Sequence, residues 1–263
     1  MLHNLSVILV RTRFPENIGM VARAMANMGA SSLILVQPER WDREKAASLA
    51  TPQGIVLLDS ALVEASLERA LSPFTVAFGT TARTGGWRTN VLSPEKAAGE
   101  LRAVAREEGR AALVFGSEDR GLSNDEVELC TRLVTIPTAM DHASLNLAQA
   151  VLVMLYECMK ADMALAFDAQ GTLGTIGGRG WSRPARSTDS RRATLEEERL
   201  LLATLQETLT AVEHLPKDNP GWFMQPMRRF LRKSRLRRHE FDMLMGICRQ
   251  VRHKLGGGGR LDP

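Results

Sequence analysis

Over the first 160 residues, short apolar or β-branched runs alternate with stretches whose apolar positions recur at helical spacing. This change of period predicts strands at residues 6–10, 32–36, 55–58, 75–79, 111–115 and 133–136. It predicts helices at 17–28, 42–50, 61–71, 94–108, 124–130 and 145–161. Punctuating residues sharpen the boundaries. Gly29 suits the left-handed cap of the first helix, Pro38 stops the second strand, and Ser93-Pro94 reads as an N-cap followed by the first helical position. Segment 80–92, with Gly85, Gly86 and Trp87, reads as a loop. Strand–helix alternation of this kind predicts an α/β fold, a mostly parallel sheet covered on both faces.

Beyond residue 165 the pattern changes. Residues 167–193 hold Gly171, Gly174, Gly177, Gly178 and Gly180 among five arginines, the composition of a flexible basic linker. Helical periodicity resumes at 195–212, with Thr194 as N-cap and three glutamates in the first turn, where they favour the helix dipole. A turn at 216–222 and helices at 225–233 and 239–254 complete a small helical unit. The expected organisation is therefore a catalytic body, 1–165, a linker, 166–193, and a helical extension, 194–263.

The chain has 263 residues, enough for one substantial core plus a smaller unit, and 44% apolar with 24% charged residues is the balance of a soluble globular protein. Cys130, Cys158 and Cys248 lie far apart without metal-ligand spacing, and read as buried reduced thiols. The five histidines show no ligand spacing either, so no metal is expected. Run 5–10 is too short for an export signal and ends at Arg11, and no 18-residue apolar stretch follows, which predicts a cytoplasmic protein without a membrane partner. Charge divides unevenly. Residues 1–165 hold 16 Lys/Arg against 19 Asp/Glu, net −3, whereas 166–263 hold 18 against 11, net +7. A basic appendage on a near-neutral body suits a polyanion. Its centre is Arg228-Arg-Phe-Leu-Arg-Lys-Ser-Arg-Leu-Arg-Arg238, seven cations in eleven residues with no acid between them. A solvated face is the usual reading of a charge run. Here RNA phosphate explains it better, which makes Arg228, Arg229, Arg232, Lys233, Arg235, Arg237 and Arg238 RNA-binding candidates.

Three segments carry candidate chemistry: Asn17-Ile-Gly-Met-Val-Ala-Arg23, Phe115-Gly-Ser-Glu-Asp-Arg-Gly-Leu-Ser123 and Ile136-Pro-Thr-Ala-Met-Asp-His-Ala-Ser-Leu-Asn146. Each follows a strand-like run and leads into a helix, where an open α/β sheet places its ligand crevice. Each also has a plain structural reading. Asn17 and Ser144 serve as helix N-caps, Arg23 is a solvated charge, and Glu118-Asp-Arg120 is a charged turn before a Ser123-capped helix. Gly116, following a buried strand, allows close approach of backbone to a ligand, and Glu118 is placed either to accept a hydrogen bond from Asn17 or to pair with an arginine, buttressing the site. Competing sites lack their signatures: no G-x-G-x-x-G follows the first strand, there is no P-loop, and Ser117 and Ser144 lack a G-x-S-x-G elbow.

Taken together and in this order, the three segments resemble the SPOUT superfamily of knotted methyltransferases, in particular the TrmH/TrmJ branch. The phrase Asp218-Asn-Pro-Gly-Trp222 with Leu244-Met-Gly-Ile-Cys-Arg-Gln-Val251 is similar to the C-terminal extension of the TrmJ type. The resemblance implies a mostly parallel sheet with a C-terminal trefoil knot, a homodimer, and S-adenosylmethionine bound bent in the knotted loops. Matching cofactor positions are Thr80, Thr81, Ala82, Gly116, Ile136, Ala143, Ser144 and Leu145. It implies a site of Asn17, Arg23, Glu118, Ser144 and Asn146, with Arg23 beside the ribose hydroxyl that is methylated. A guanidinium keeps its proton, so Arg23 is expected to hold phosphate and stabilise the ribose oxyanion rather than act as base. Arg83 joins the RNA-binding candidates. The implied activity is tRNA ribose 2′-O-methylation of an anticodon-loop pyrimidine at position 32, with DNA excluded because it lacks the 2′-hydroxyl. The alternatives are a ribosomal RNA ribose methyltransferase of the same family and a non-catalytic RNA-binding module. The apolar faces of helices 17–28 and 145–161 are expected to pack across the two-fold axis.

Overall fold

A computed structural model describes residues 2–82, 91–139, 145–163, 191–216, 218–234 and 236–256. The chain divides into two compact units, Met1–Ser182 and Arg183–Pro263.

The first unit is built on seven strands: β1 (Leu5–Val10), β2 (Ser32–Val36), β3 (Leu62–Glu64), β4 (Val76–Thr80), β5 (Val91–Leu92), β6 (Ala111–Phe115) and β7 (Arg132–Val134). They lie in the order β3-β2-β1-β6-β4-β7-β5, with every neighbouring pair parallel. The sheet is thus wholly parallel among the described residues. β1 and β6 are buried along their full length, as continuous apolar runs in a two-sided sheet must be. Its helices are α1 (Pro15–Met28), α2 (Arg43–Ala47), α3 (Pro52–Asp59), α4 (Leu67–Leu71), α5 (Pro94–Arg106), α6 (Asn124–Leu129) and α7 (Leu147–Met163). Gly29 closes α1 in the left-handed region at φ 76°.

Two expected elements are exchanged. Residues 55–58 are not a strand but part of α3, because Thr51 caps the Gly54 amide and Pro52 opens the helix. Gly54 fits closely against the α1 backbone at Ala22, which fixes this helix beside α1. The helix expected at 61–71 divides into the edge strand β3 and the short α4, which Ser66 caps. Leu62 and Val63 are largely exposed there, so burial could not have marked the strand. β5, inside the expected loop 80–92, is also new. β7 lies between β4 and β5 in the sheet, although β5 follows β4 in sequence.

The buried side of α1 (Ile18, Val21, Ala22, Met25) packs on α7 through residues such as Val151, Met154 and Leu155. These faces, expected at a dimer interface, are therefore consumed within the chain. Cys130, Cys158 and Cys248 are buried free thiols. Burial, with Asp162 and Glu157 nearby, pushes the Cys158 thiol up to about 12.

The second unit holds α8 (Leu195–Ala211), α9 (Pro220–Phe223), α10 (Gln225–Ser234) and α11 (Arg238–Gly256). Ala193, Leu201, Leu231, Leu236 and Phe241 form its small core. The turn expected at 216–222 closes in α9. No described helix is long and apolar enough to cross a membrane.

Candidate active site

The three segments meet at the C-terminal ends of the central strands. Pro15 takes the first position of α1, which places Asn17 inside the first turn rather than at the cap, and its side chain is free to reach outward. Its amide nitrogen donates to Glu118 Oε1 at 2.8 Å. The other carboxylate oxygen, Oε2, accepts from the Arg13 backbone amide at 3.0 Å. From the third segment, Asn146 Nδ2 donates to Asn17 Oδ1 at 3.1 Å. Asn146 Oδ1 in turn accepts from the Ala148 amide at 2.9 Å. Asn17, Glu118 and Asn146 thus form one hydrogen-bonded chain, although they lie 101 and 129 residues apart from Asn17 in sequence.

The turn that presents Glu118 is built tightly. Gly121 has φ 67°, and its amide donates to the Ser117 carbonyl at 2.8 Å. Gly116 faces this return strand. A Cβ there would overlap the backbone of Gly121 and Leu122. The tight turn is thus a second reason for glycine at this position. Ser123 then opens α6 with a capping box, its amide donating to Glu126 at 2.7 Å and its hydroxyl accepting from the Glu126 amide at 3.3 Å.

Two arginines that the sequence left without a role brace this arrangement. Arg11 pairs with Glu126, and Arg13 pairs with Asp119 at 3.0 Å and Glu39 at 3.3 Å. Slight desolvation works against ionisation of Asp119. Its bonds with Ser117 and its own backbone, with Arg13 and Arg120 nearby, outweigh that and hold its carboxyl below the usual range. For Arg11–Glu126 and Arg13–Asp119 the signal is only opposite charge across more than a hundred residues, which no local pattern reveals.

Beside the chain lies a cavity of about 210 Å³. Thr80, Thr81, Ala82, Gly116, Ile136 and Leu145 line it, six of the eight expected cofactor positions. Ala143 and Ser144 lie outside the described residues. Val134, Leu147 and Ala150 extend its apolar wall, and Glu118, Asp119 and Arg120 its charged rim. Thr80 spends its hydroxyl on the Val114 carbonyl at 3.1 Å, leaving its methyl for packing. Apolar wall, backbone-rich turns and a rim carrying two acids and one arginine suit a ligand with both a flat apolar part and polar or charged groups. Arg23 is not among the lining residues. It stands exposed on α1, on one face with Met20 and Asn27.

In the second unit the basic run separates into two parts. Arg238 is committed internally: it pairs with Glu197, bonds Asp242 at 3.1 Å, and lies over the Phe241 ring. Arg191 also binds Glu197, at 2.6 and 2.9 Å. These arginine bonds, with the Thr194 amide of a second capping box, hold the Glu197 carboxyl down at about 2 against the burial that would raise it. Arg237 is half-buried, and its amide is held by Glu240 at 2.7 Å. The run is therefore partly neutralised by acids from α8 and α11, which the sequence pattern did not show. Arg229 and Lys233 are exposed and Arg228 half-buried on α10. Arg83, Arg235 and the Arg232 side chain lie outside the described residues.

Comparisons with known proteins place these features in a family. Residues 4–156 match the model of the SpoU rRNA Methylase family. Residues 196–259 match that of the tRNA methyltransferase TrmJ C-terminal domain. The chain is 37% identical over 254 residues, covering 95% of each protein, to the tRNA (cytidine/uridine/adenosine-2′-O-)-methyltransferase TrmJ of Pseudomonas aeruginosa. It is 32% identical, covering 95% of this chain and 98% of the relative, to the tRNA (cytidine/uridine-2′-O-)-methyltransferase TrmJ of Pectobacterium atrosepticum. The crystal structure of TrmJ from Z. mobilis ZM4 matches with a TM-score of 0.71 at 28% identity, covering 94% of this chain and 98% of that one.

Proposed function

The chain belongs to the SpoU rRNA Methylase family and carries a TrmJ C-terminal domain, and on that premise we propose that it methylates the ribose of an anticodon-loop pyrimidine, position 32, in tRNA. It is a tRNA ribose 2′-O-methyltransferase of TrmJ type that uses S-adenosylmethionine. The observation that carries the site assignment is the Asn17–Glu118–Asn146 chain beside the cavity.

S-adenosylmethionine supplies an electrophilic methyl group on a sulfonium. When bound, it would give that methyl to the ribose 2′-oxygen, and the hydroxyl proton would pass to water. The protein's part is mostly positioning. Thr80 to Ala82, Gly116, Ile136 and Ala143 to Leu145 hold the cofactor. Asn17, Glu118, Ser144 and Asn146 fix the geometry where cofactor and ribose meet. Arg23 clamps the neighbouring phosphate and stabilises charge on the ribose oxygen. Arg83 and the exposed cations of α10 grip the tRNA, with residues 1–165 as catalytic body and 194–263 as the RNA-binding extension. The β7 insertion between β4 and β5 supports threading of the following loop as a trefoil knot. Exposed Met20, Leu152 and Tyr156 support a homodimer through the outer faces of α1 and α7. Such a protein works in the cytoplasm, and DNA is not a substrate.

A second reading concerns the base. The Pseudomonas relative is named for adenosine as well as the pyrimidines. Incubation of the purified protein with labelled S-adenosylmethionine and tRNAs differing only at position 32, without added metal, tests both. Label on cytidine and uridine alone supports the proposal, and equal label on adenosine widens it. No label on these tRNAs, or label at another tRNA position, overturns it.

A further inference from the structure

The second unit carries a ridge whose aromatic side chains none of the assigned roles uses. The Arg228 amide donates to the Met224 carbonyl at 3.0 Å and the Met224 amide to the Pro220 carbonyl at 3.1 Å, so the helical path runs on from α9 into α10. Met224 and Leu231 turn inward and are buried. Residues 222, 226, 229, 230 and 233 therefore recur on the opposite, outward side. Trp222 is 66% exposed and Phe230 64%. Trp222 packs edge-on against Phe223, with ring centroids 5.0 Å apart and planes at 83°, so it has a defined presentation. Arg229 and Lys233 are exposed on the same ridge, and no acidic residue occurs between positions 219 and 239.

Large aromatic side chains left in water and interleaved with cations mark a contact surface. The charge selects a polyanion, and the rings select which kind. In a duplex the base faces are covered by their neighbours, whereas unpaired bases offer π-faces that stack on aromatic side chains. We infer that Trp222 and Phe230 stack on unpaired bases of a single-stranded RNA loop while Arg229 and Lys233 hold its phosphates. That the loop belongs to tRNA rests on the function proposed above; the stacking itself does not.

The test uses the full chain and two RNA probes of equal phosphate number, a hairpin with a seven-nucleotide loop and a fully paired duplex. Trp222→Ala and Phe230→Ala are each expected to weaken hairpin binding about tenfold, as loss of one base–aromatic stack does, and duplex binding less than twofold. Trp222→Phe, which keeps a stacking ring, recovers most of the loss. Arg229→Gln weakens both probes alike, because phosphate carries no information about pairing. Equal losses on both probes for the aromatic variants would overturn the inference. So would unchanged RNA binding with an altered sedimentation coefficient, which would make the ridge a protein-docking face. Methyl transfer to tRNA is scored separately. Selective hairpin losses without methylation would sink the enzymatic proposal and leave the ridge standing, and methylation with no such losses would do the reverse.

Discussion

Replacing Asn17 by aspartate keeps the shape of the side chain and inverts its role, which makes it the sharpest probe of the site. Glu118 accepts from the Asn17 amide at 2.8 Å and from the Arg13 backbone at 3.0 Å. In Asn17→Asp the first donor becomes a second carboxylate. With charge centres about 4 Å apart and an effective dielectric near 20, the repulsion is about 4 kcal/mol. Both side chains are half-exposed, and solvent reduces this to roughly 1–3 kcal/mol. That corresponds to about one to two pH units by which the pair retains a shared proton above the ordinary carboxylate range. Once held, the proton restores an O–H donor where the amide stood. The variant should therefore lose about 100-fold in kcat/KM near pH 8, as mispositioning of reacting groups does. It should regain a large part of that loss near pH 6. Asn17→Ala has no proton to regain and should stay low throughout. The assay is single-turnover methyl transfer to tRNA from about pH 5.5 to 8.5, each variant normalised to wild type. Parallel profiles for the two variants, or a wild-type rate for Asn17→Asp at pH 8, would refute the reasoning.

Arg23→Ala should lower turnover at least 100-fold, on the scale of a lost oxyanion donor, while cofactor affinity by calorimetry stays near wild type; equal loss of cofactor binding would place Arg23 in the cavity instead. Arg23→Lys should also be poor, since a point charge cannot replace a bidentate fork. Gly116→Ala should cost about 1–3 kcal/mol by overpacking, visible in calorimetry as a melting point lower by several degrees, with weaker cofactor binding; an unchanged melting point would mean the turn accommodates the methyl freely. Glu197, held at about 2 against an ordinary 4.5, stabilises the second unit fully above pH 4.5 and loses that contribution as pH falls towards 2. After allowance for solvent screening this is worth about 1–2 kcal/mol. Unfolding of the second unit between those pH values should therefore flatten in Glu197→Gln, and an unaltered pH slope would remove Glu197 from that role.

Where a residue type has one dominant physical meaning, the sequence could be read directly. Gly29, Ser93, Ser123 and Thr194 end or begin helices as read, and the buried strands β1, β2 and β6 follow their apolar runs. The exchange over residues 55–71 has a definite cause. Ile55-Val-Leu-Leu58 suits a buried strand or a helix equally by composition, and the capping by Thr51-Pro52 decides between them. Position 17 was misread in a related way, because Pro15 rather than Asn17 starts α1. Long-range charge pairing was beyond reach. Nothing local to Arg11 points to Glu126, 115 residues on, or shows that Glu197 neutralises Arg238 from 41 residues away, whereas the Arg238–Asp242 pair has the local i,i+4 spacing.

The site's three segments each look like an ordinary cap or turn, and what joins them is the direction of their hydrogen bonds. An asparagine amide both donates and accepts, so a chain of two could run either way. Here both ends are fixed. The Ala148 backbone amide can only donate, so Asn146 must turn its oxygen inward. The Glu118 carboxylate accepts, so Asn17 must turn its nitrogen towards it. The middle bond, Asn146 Nδ2 to Asn17 Oδ1, then satisfies both constraints at once. Each amide nitrogen carries two hydrogens, of which the chain uses one. Each Oδ1 likewise accepts one of two possible bonds. Asn17 and Asn146 can therefore each still offer a bound molecule one N–H and one lone pair, and the N–H suits oxygen acceptors such as those of ribose, phosphate or a carboxylate. A glutamine at position 118 could satisfy Asn17 through its remaining oxygen, but would set a donor against the Arg13 amide. That is a physical reason for an acid at this position that does not require it to exchange a proton with substrate.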